Sequence, residues 1–313
     1  MAAATEEKHT LFSRERSSGM PNTFGHIAVQ APLTKALFRD ADPRWIYLGC
    51  IIPDLPWILQ RAVKYTVPGA VDILDLRLTS IVLATLFASL VLAAAFSMLA
   101  ERRLRTFGIL ALGATLHLLL DACQIKWANG VHLAAPFSWR LVRFDLFWPE
   151  SIPTMLLTVG GVVSFVLMTT RARAMERWRF TRGRLTAAAA LLLVYASLPL
   201  AFNDDAERAD NHFVFTLRYP DVRTGSPIEF DRAWFHPTGR GYVLETFTGE
   251  EFFLAGPRPA GPAIVSVRGD FVDSRTIRIR DLHEHAGNAR DWMSVFGLSA
   301  VAFAWIVPVF RRP

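Results

Sequence analysis

Thr106-Phe-Gly-Ile-Leu-Ala-Leu-Gly-Ala-Thr-Leu-His117-Leu-Leu-Leu-Asp121-Ala-Cys123 is apolar enough to cross a bilayer, yet it carries an imidazole and a carboxylate near its end. A hydrocarbon core about 30 Å thick needs about 20 apolar residues in a helix, because each residue rises about 1.5 Å. Thr79 to Ala100, Ile152 to Thr170, Leu185 to Phe202 and Trp292 to Phe310 meet that requirement with no charge at all. Trp45 to Arg61 is a further apolar stretch, but Pro53, Asp54 and Pro56 must break or kink any helix there, giving a sixth, broken span or a re-entrant pair. The expected fold class is therefore a polytopic α-helical membrane protein with five to six transmembrane helices.

Composition agrees with that reading. Of 313 residues, 52% are hydrophobic and 20% charged, which excludes an ordinary soluble domain and also a purely lipid-embedded one. The net charge of +6 comes mostly from arginines set beside apolar runs, a pattern suited to lipid headgroups and membrane orientation and not to a nucleic-acid stripe. Cys50 and Cys123 are too few for a disulfide scaffold and form no Cys-x-x-Cys pair. The first residues lack the basic-then-apolar build of a signal peptide, so the spans themselves are expected to direct insertion.

Short loops rich in Lys and Arg stay cytoplasmic. Arg102, Arg103 and Arg105, the basic loop from Arg171 to Arg184, and Arg311 with Arg312 all fit one side at once, and Arg14, Arg16, Lys35, Arg39 and Arg44 favour a start on that side. The loop from Gln124 to Glu150 and the insert from Asn203 to Arg290 then face away from the cytoplasm. In that insert, Phe213 to Tyr219, Ile228 to Phe235, Tyr242 to Phe247, Ala263 to Arg268 and Thr276 to Arg280 read as short strands between Gly, Pro and Asp turns. They predict a small β-rich extracytoplasmic domain, a barrel or sandwich, with an OB-like barrel as one form. The domain order expected is a flexible N-terminus over 1–22, a helical membrane domain over 23–202, the β-rich domain over 203–290 and a C-terminal transmembrane helix over 291–313.

His117 and Asp121 are four apart, so both project from one helix face about one turn apart. An ionisable pair at membrane depth costs several kcal/mol unless it has a partner or a hydrated cavity. Metal ligation, acid–base chemistry and a mutual His–Asp hydrogen bond all satisfy that need. Gly113, one turn earlier, admits close approach of another helix. Asp54, held at the double-proline break, is suited to ligate an ion, or else caps a turn at the membrane surface. His26 alone reads as a surface or capping histidine. Lys126, Arg140 and Arg143 could meet a lipid phosphate or simply snorkel, and His132 is an exposed loop histidine or an additional ligand. His212, His236, His283 and His285 lie in the insert, where His283-Glu-His285 reads as a polar strand segment and not as a metal site. Arg268, Arg278 and Arg280 could bind a polyanion, but an outer location argues against nucleic acid and for a lid or a platform for an envelope protein partner.

The order Gly25-His26, Leu48-Gly-Cys-Ile-Ile-Pro-Asp54, His117-Leu-Leu-Leu-Asp121-Ala, Trp127 to Gly130 and Ala135-Pro-Phe-Ser138 resembles the bacterial membrane-bound metal-dependent hydrolases, nearest to the LexA-regulated inner-membrane hydrolase family. The His-x-x-x-Asp step also looks like that of zinc-dependent phospholipase C. The resemblance runs from about Pro21 to Phe165 and implies a multi-pass protein of the bacterial inner membrane. It implies that His26, Asp54, His117 and Asp121 are metal ligands for a divalent cation, Zn first and Mn or Mg as alternatives. Such a cation, with an open position, deprotonates bound water for attack on an ester or phosphoester, lipid-derived substrates included. Asp121 or Asp75 is then the candidate base. One departure stands out. Family members usually carry His-Arg-Gly-x-Thr-His before the first strong span, where this chain reads Asp75-Leu-Arg-Leu-Thr-Ser80. Asp75 can replace a histidine as an oxygen ligand and Ser80 does so poorly. Either the site holds one metal instead of two, or the chain is a catalytically degenerate scaffold whose β domain binds a partner.

Overall fold

The computed structural model describes residues 22–67, 69, 71–171, 176–239, 241–286 and 289–310. The expected flexible N-terminus lies almost wholly outside these residues, as do Arg14, Arg16, Arg311 and Arg312. The described residues divide into a helical unit, within Met20–Ile125, Gly130–Ala209 and Asn288–Pro313, and a second unit within Asp210–Gly287 and Lys126–Asn129.

In the helical unit the elements are α1 (Thr23–Leu37), α2 (Pro43–Ile51), a 3-10 turn (Ile52–Asp54), α3 (Leu55–Thr66), α4 (Ile73–Leu83), α5 (Leu86–Met98), α6 (Arg103–Cys123), α7 (Ile152–Thr170), α8 (Arg182–Ala209) and α10 (Ala289–Phe310). Short polar side chains start several of them. Asn22 accepts from the Gly25 N–H, Asp42 from Arg44, Asp72 from Leu74 and Asp75, and Thr85 from Ala88, each satisfying donors that an α-helix leaves orphaned. Prolines at the first or second positions of α2, α3 and α7 suit a turn whose N–H groups have no partner in any case.

Among the described residues three helices are long and apolar enough to cross a membrane: Arg103–Cys123, Ile152–Thr170 and Arg182–Ala209. A fourth crossing is possible if Ile73–Leu83 and Leu86–Met98, which meet at a bend of 70°, count as one broken span. This corrects the expectation of five to six. The run from Thr79 to Ala100 is not one rod, because Thr85 takes an extended backbone and its hydroxyl caps the next helix. Trp45 to Arg61 breaks where its prolines required, into α2, the 3-10 turn and α3. At the C-terminus only Trp292–Ile306 qualifies, as a shorter apolar helix. Leu193 (72% exposed) and Leu200 (91%) on α8, like Met155, Leu156 and Val159 on α7, turn apolar side chains outward, as lipid-facing helices do and soluble cores do not.

Small residues let the bundle close. Gly161 of α7 sits so near the Phe24 backbone of α1 that a Cβ would fall 1.8 Å from its carbonyl oxygen. Gly49 of α2 and Gly113 of α6 meet backbone to backbone in the same way, with a Gly113 Cβ 2.9 Å from Gly49. The core around them holds Phe24, Ile27, Trp45, Ile46, Tyr47 and Leu110. At the Arg102 end of α6 a polar clamp joins three segments. Asp42 pairs with Arg44 and accepts from the Glu176 N–H, while the Glu176 carboxylate accepts from the Arg102 N–H and the Thr106 hydroxyl. Nearby, the Arg179 guanidinium holds the Glu101 carboxyl below its ordinary pKa.

The second unit is a closed barrel of five strands, β1 (Pro227–Thr238), β2 (Gly241–Glu245), β3 (Glu251–Ala255), β4 (Ala263–Phe271) and β5 (Thr276–Glu284), in the order β1-β2-β3-β5-β4. All pairs are antiparallel except β3 with β5. Closure leaves no free sheet edge. A bulge between Phe230 and Ala233, where Arg232 takes φ 57°, bends β1 around the barrel. Two sequence expectations are corrected here. The strand read over Phe213 to Tyr219 is the short helix α9 (Val214–Arg218), because Phe213, Val214 and Leu217 share one buried helical face. The strand Glu251–Ala255 went unread. Arg223 explains the first: its guanidinium donates to the Thr216 and Leu217 carbonyls of that helical turn, to Ser274 O and to both Glu250 oxygens. An extended chain could not present those carbonyls together.

Candidate metal centre

Three segments of the helical unit meet at the residues singled out above. α6 places His117 and Asp121 on one face, α1 brings His26, and the 3-10 turn brings Asp54. His26 and His117 are fully buried (0%), Asp54 is 4% exposed, and the Asp121 side chain 17%. The imidazoles of His26 and His117 stack with centroids 3.7 Å apart and planes within 4°. His26 Nε2 lies 3.4 Å from Asp121 Oδ1. His117 Nε2 lies 3.3 Å from Asp54 Oδ1 and 3.5 Å from Asp121 Oδ2. His26, His117 and Asp121 each offer a ligand atom, all within 4.8 Å of one another. Asp54 joins through its approach to His117.

The tautomer of His117 is fixed by its other nitrogen. Nδ1 is 2.6 Å from the Cys50 carbonyl oxygen, an acceptor only, so Nδ1 must carry the proton and donate. A neutral His117 then turns the lone pair of Nε2 toward two carboxylates. Negative charge against a lone pair at 3.3 Å and 3.5 Å is repulsive, and either a second ring proton on Nε2 or a bound cation between the groups turns the contact favourable. Cys50 is able to accept because it stands in the last turn of α2, whose final carbonyls have no helical donors. Reading the sequence for side chains missed this partner; the nearby Pro53, which ends the helix and frees its carbonyls, was the available signal.

No family model, curated protein or solved structure matches this chain.

The remaining candidates fall elsewhere. Asp75 is exposed in the first turn of α4 and is not among the clustered ligand atoms. Ser80 is buried, and its hydroxyl donates to the Leu76 carbonyl at 2.9 Å. His132 is buried in the loop after α6 with Nδ1 2.9 Å from the Trp139 carbonyl, which ties the loop to itself. Arg140 is exposed, and Lys126 and Arg143 are half-buried. In the barrel, His236 pairs with Glu245 at 3.1 Å, and His285 Nε2 lies 2.7 Å from the Ser266 hydroxyl. Ser266 also donates to Asp231, an acceptor only, so in that arrangement His285 Nε2 donates to Ser266. Arg268 lies over the Trp127 ring and pairs with Glu229, and Arg280 pairs with Asp270.

Proposed function

We propose that the chain is a membrane-embedded, metal-dependent hydrolase of an ester or phosphoester, with a divalent cation held by His26, His117, Asp121 and Asp54. The observation that carries the reading is the orientation of His117: Nδ1 committed to Cys50 O, Nε2 facing two buried carboxylates. The cation answers that charge, and a backbone carbonyl on the far nitrogen is the outer-shell partner that ligating histidines require. The donor spacings fit as well. The three approaches, 3.3 Å to Asp54 and 3.4 and 3.5 Å to the two different oxygens of Asp121, are of the order of the roughly 3.4 Å that ligand bonds of about 2.0–2.1 Å put between neighbouring donors. Binding would open the parallel imidazole stack, since the two ring lone pairs must converge on one centre.

When bound, the ion supplies a Lewis acid that lowers the pKa of a coordinated water. The chain's own contribution is to hold that site dry on the His26 and His117 side and open toward Asp121, the most accessible of the four. Asp121 is also better placed than Asp75 to take a proton from the attacking water. Zn suits two nitrogens and two carboxylates, and Mn or Mg remain alternatives for the oxygen-rich half. The resemblance to LexA-regulated inner-membrane hydrolases and zinc-dependent phospholipase C supports the class, the bacterial inner membrane as location and membrane lipids as partners and substrate source. The positive flanks of the apolar helices support a cytoplasmic Arg102 end. His117 lies 15 residues along the same helix, roughly 22 Å away, which puts the site toward the outer leaflet. The barrel, OB-like in its five closed strands, is read as the extracytoplasmic domain.

Metal analysis of the detergent-purified full chain tests this. One equivalent of metal in the wild type, lost in His117→Ala, is expected. Sub-stoichiometric wild-type metal, or unchanged metal in His117→Ala, overturns the proposal.

A second reading, a catalytically degenerate scaffold whose barrel binds an envelope protein partner, is favoured by one feature. Where the resembled family has two histidines, the Ser80 hydroxyl is turned to the Leu76 and Pro56 carbonyls and Asp75 is exposed. Metal-dependent turnover of any member of a phosphoester and lipid panel would remove it.

A further inference from the structure

His26, Gln30 and Thr34 stand at successive four-residue steps of α1, so they share one face, and each is fully buried (0%). Among the described residues, His26 Nδ1, both polar atoms of the Gln30 amide and Thr34 Oγ1 have no hydrogen-bond partner. A buried polar atom left unpaired costs about 1–3 kcal/mol, so a row of four on one helix face is retained for a reason. The facing row on α6 is Asp121, His117 and Gly113. His26 stacks on His117, and Gln30 Oε1 lies 3.2 Å from the position a Cβ on Gly113 would take. Gln30 is therefore one helical turn from the imidazole pair on both helices.

The two histidines are unequal in this respect. His117 has its far nitrogen anchored by a backbone carbonyl at 2.6 Å. His26 needs the same if its Nε2 is to ligate, because an imidazole without a partner on the other nitrogen is free to switch tautomer or rotate. One turn before it, Asn22 is already engaged, donating to the Thr158 hydroxyl and accepting from the Gly25 N–H, which leaves the Gln30 and Thr34 row as the unpartnered polar side chains on this face among the described residues of α1. We infer that Gln30 is the positioning residue for His26. Its amide oxygen accepts the His26 Nδ1–H through one bridging water, its NH2 group donates toward Thr34, and His26 Nε2 is thereby fixed as a ligand atom. A water in such a site requires several polar partners, and this row supplies them. The inference rests on the metal-centre reading above.

The test uses the full chain in detergent with zinc and a competing chelator, and a separate melt of the metal-free protein. Gln30→Met keeps length and flexibility and removes both polar atoms; Gln30→Glu keeps the acceptor. Loss of an outer-shell partner typically weakens metal binding 10–100-fold, so Gln30→Met is expected to bind zinc that much more weakly. Its metal-free melting temperature should equal or exceed that of the wild type, since two desolvated polar atoms are gone. Gln30→Glu should retain the wild-type affinity. A Gln30→Met chain that binds zinc like the wild type overturns the inference. So does equal weakening of both variants with a lowered metal-free melt, which would mark Gln30 as packing alone. A wild type that takes up no zinc, manganese or magnesium sinks the metal centre itself, a result separable from either of these.

Discussion

Replacing Gly113 with alanine probes the contact on which the centre is built. A Cβ there would lie 2.9 Å from both the Cα and the carbonyl carbon of Gly49. Carbon atoms rest about 3.5–4.0 Å apart, so α2 and α6 must separate locally by at least about 0.6 Å. The nearer obstacle is backbone, which cannot swing away, while the Gln30 amide oxygen, 3.2 Å from the same position, can shift. Overpacking of this kind costs about 1–3 kcal/mol, while alanine in place of a helical glycine returns about 1 kcal/mol, leaving a net loss of up to about 2 kcal/mol. The larger consequence is for the site. Cys50 follows Gly49, and moving its carbonyl by the same amount stretches the His117 Nδ1 bond from 2.6 Å to about 3.2 Å, the edge of hydrogen bonding. Gly113→Ala is therefore expected to bind metal more weakly than its modest loss of stability suggests. Gly108→Ala is the control on the same helix, since its Cβ would meet only the tip of the Phe38 ring, at 3.2 Å, which can move. Both are measured by chelator competition and by thermal melting of the purified full chain. If Gly113→Ala keeps wild-type metal affinity and melts with Gly108→Ala, the idea that this backbone contact sets the His117 geometry is wrong.

Asp75→Asn is expected to leave metal content unchanged, because that carboxylate is exposed and outside the clustered donors; loss of metal by elemental analysis would return it to the site. Asp54→Asn should weaken metal binding less than His117→Ala in the same titration, since Asp54 reaches the cluster only through His117; the reverse order would refute that placement. Arg223→Met should destabilise the barrel by about 3 kcal/mol, discounted because Glu250 keeps contact with water, and Arg223→Lys should not rescue it, since one ammonium cannot serve three carbonyls and a carboxylate. Limited proteolysis of the full chain reads this out, and wild-type resistance in Arg223→Met would refute it. Asp273 accepts from the Arg275 and Thr276 N–H groups at 2.8 Å each, and these bonds hold its carboxyl below the ordinary 3.8. A depressed folded value means the contribution is present above 3.8 and lost as pH falls through the lower folded value. Amide protection in the turn between β4 and β5, taken relative to the intrinsic exchange rate at each pH, should fall only in that acid window, and a fall in protection at higher pH would contradict it.

What could be read in advance follows from the range of the forces involved. His117 and Asp121 were legible because a four-residue spacing inside an apolar run is a local fact, and one helix supplies both. The bend at Thr85 was legible in principle, as a capping residue in mid-run, but the hydrophobic count outweighed it; a threonine that caps in the middle of an apolar stretch looks the same as one that packs. Residues 213–219 show the opposite failure. Their β-branched and aromatic content favours a strand, and what overrides it is Arg223, which needs carbonyls that only a helical turn can gather. His26 could be placed in the site only by resemblance, for nothing local joins residue 26 to residue 117. Their meeting depends on Gly161 admitting the Phe24 backbone and on Gly49 admitting Gly113, contacts in which the informative feature is a missing side chain. Sequence patterns report what a side chain does far better than what its absence permits. In a bundle closed by glycines, the centre is therefore specified by residues that never touch it, and substitutions at Gly49, Gly113 and Gly161 should disturb metal binding before they unfold the protein.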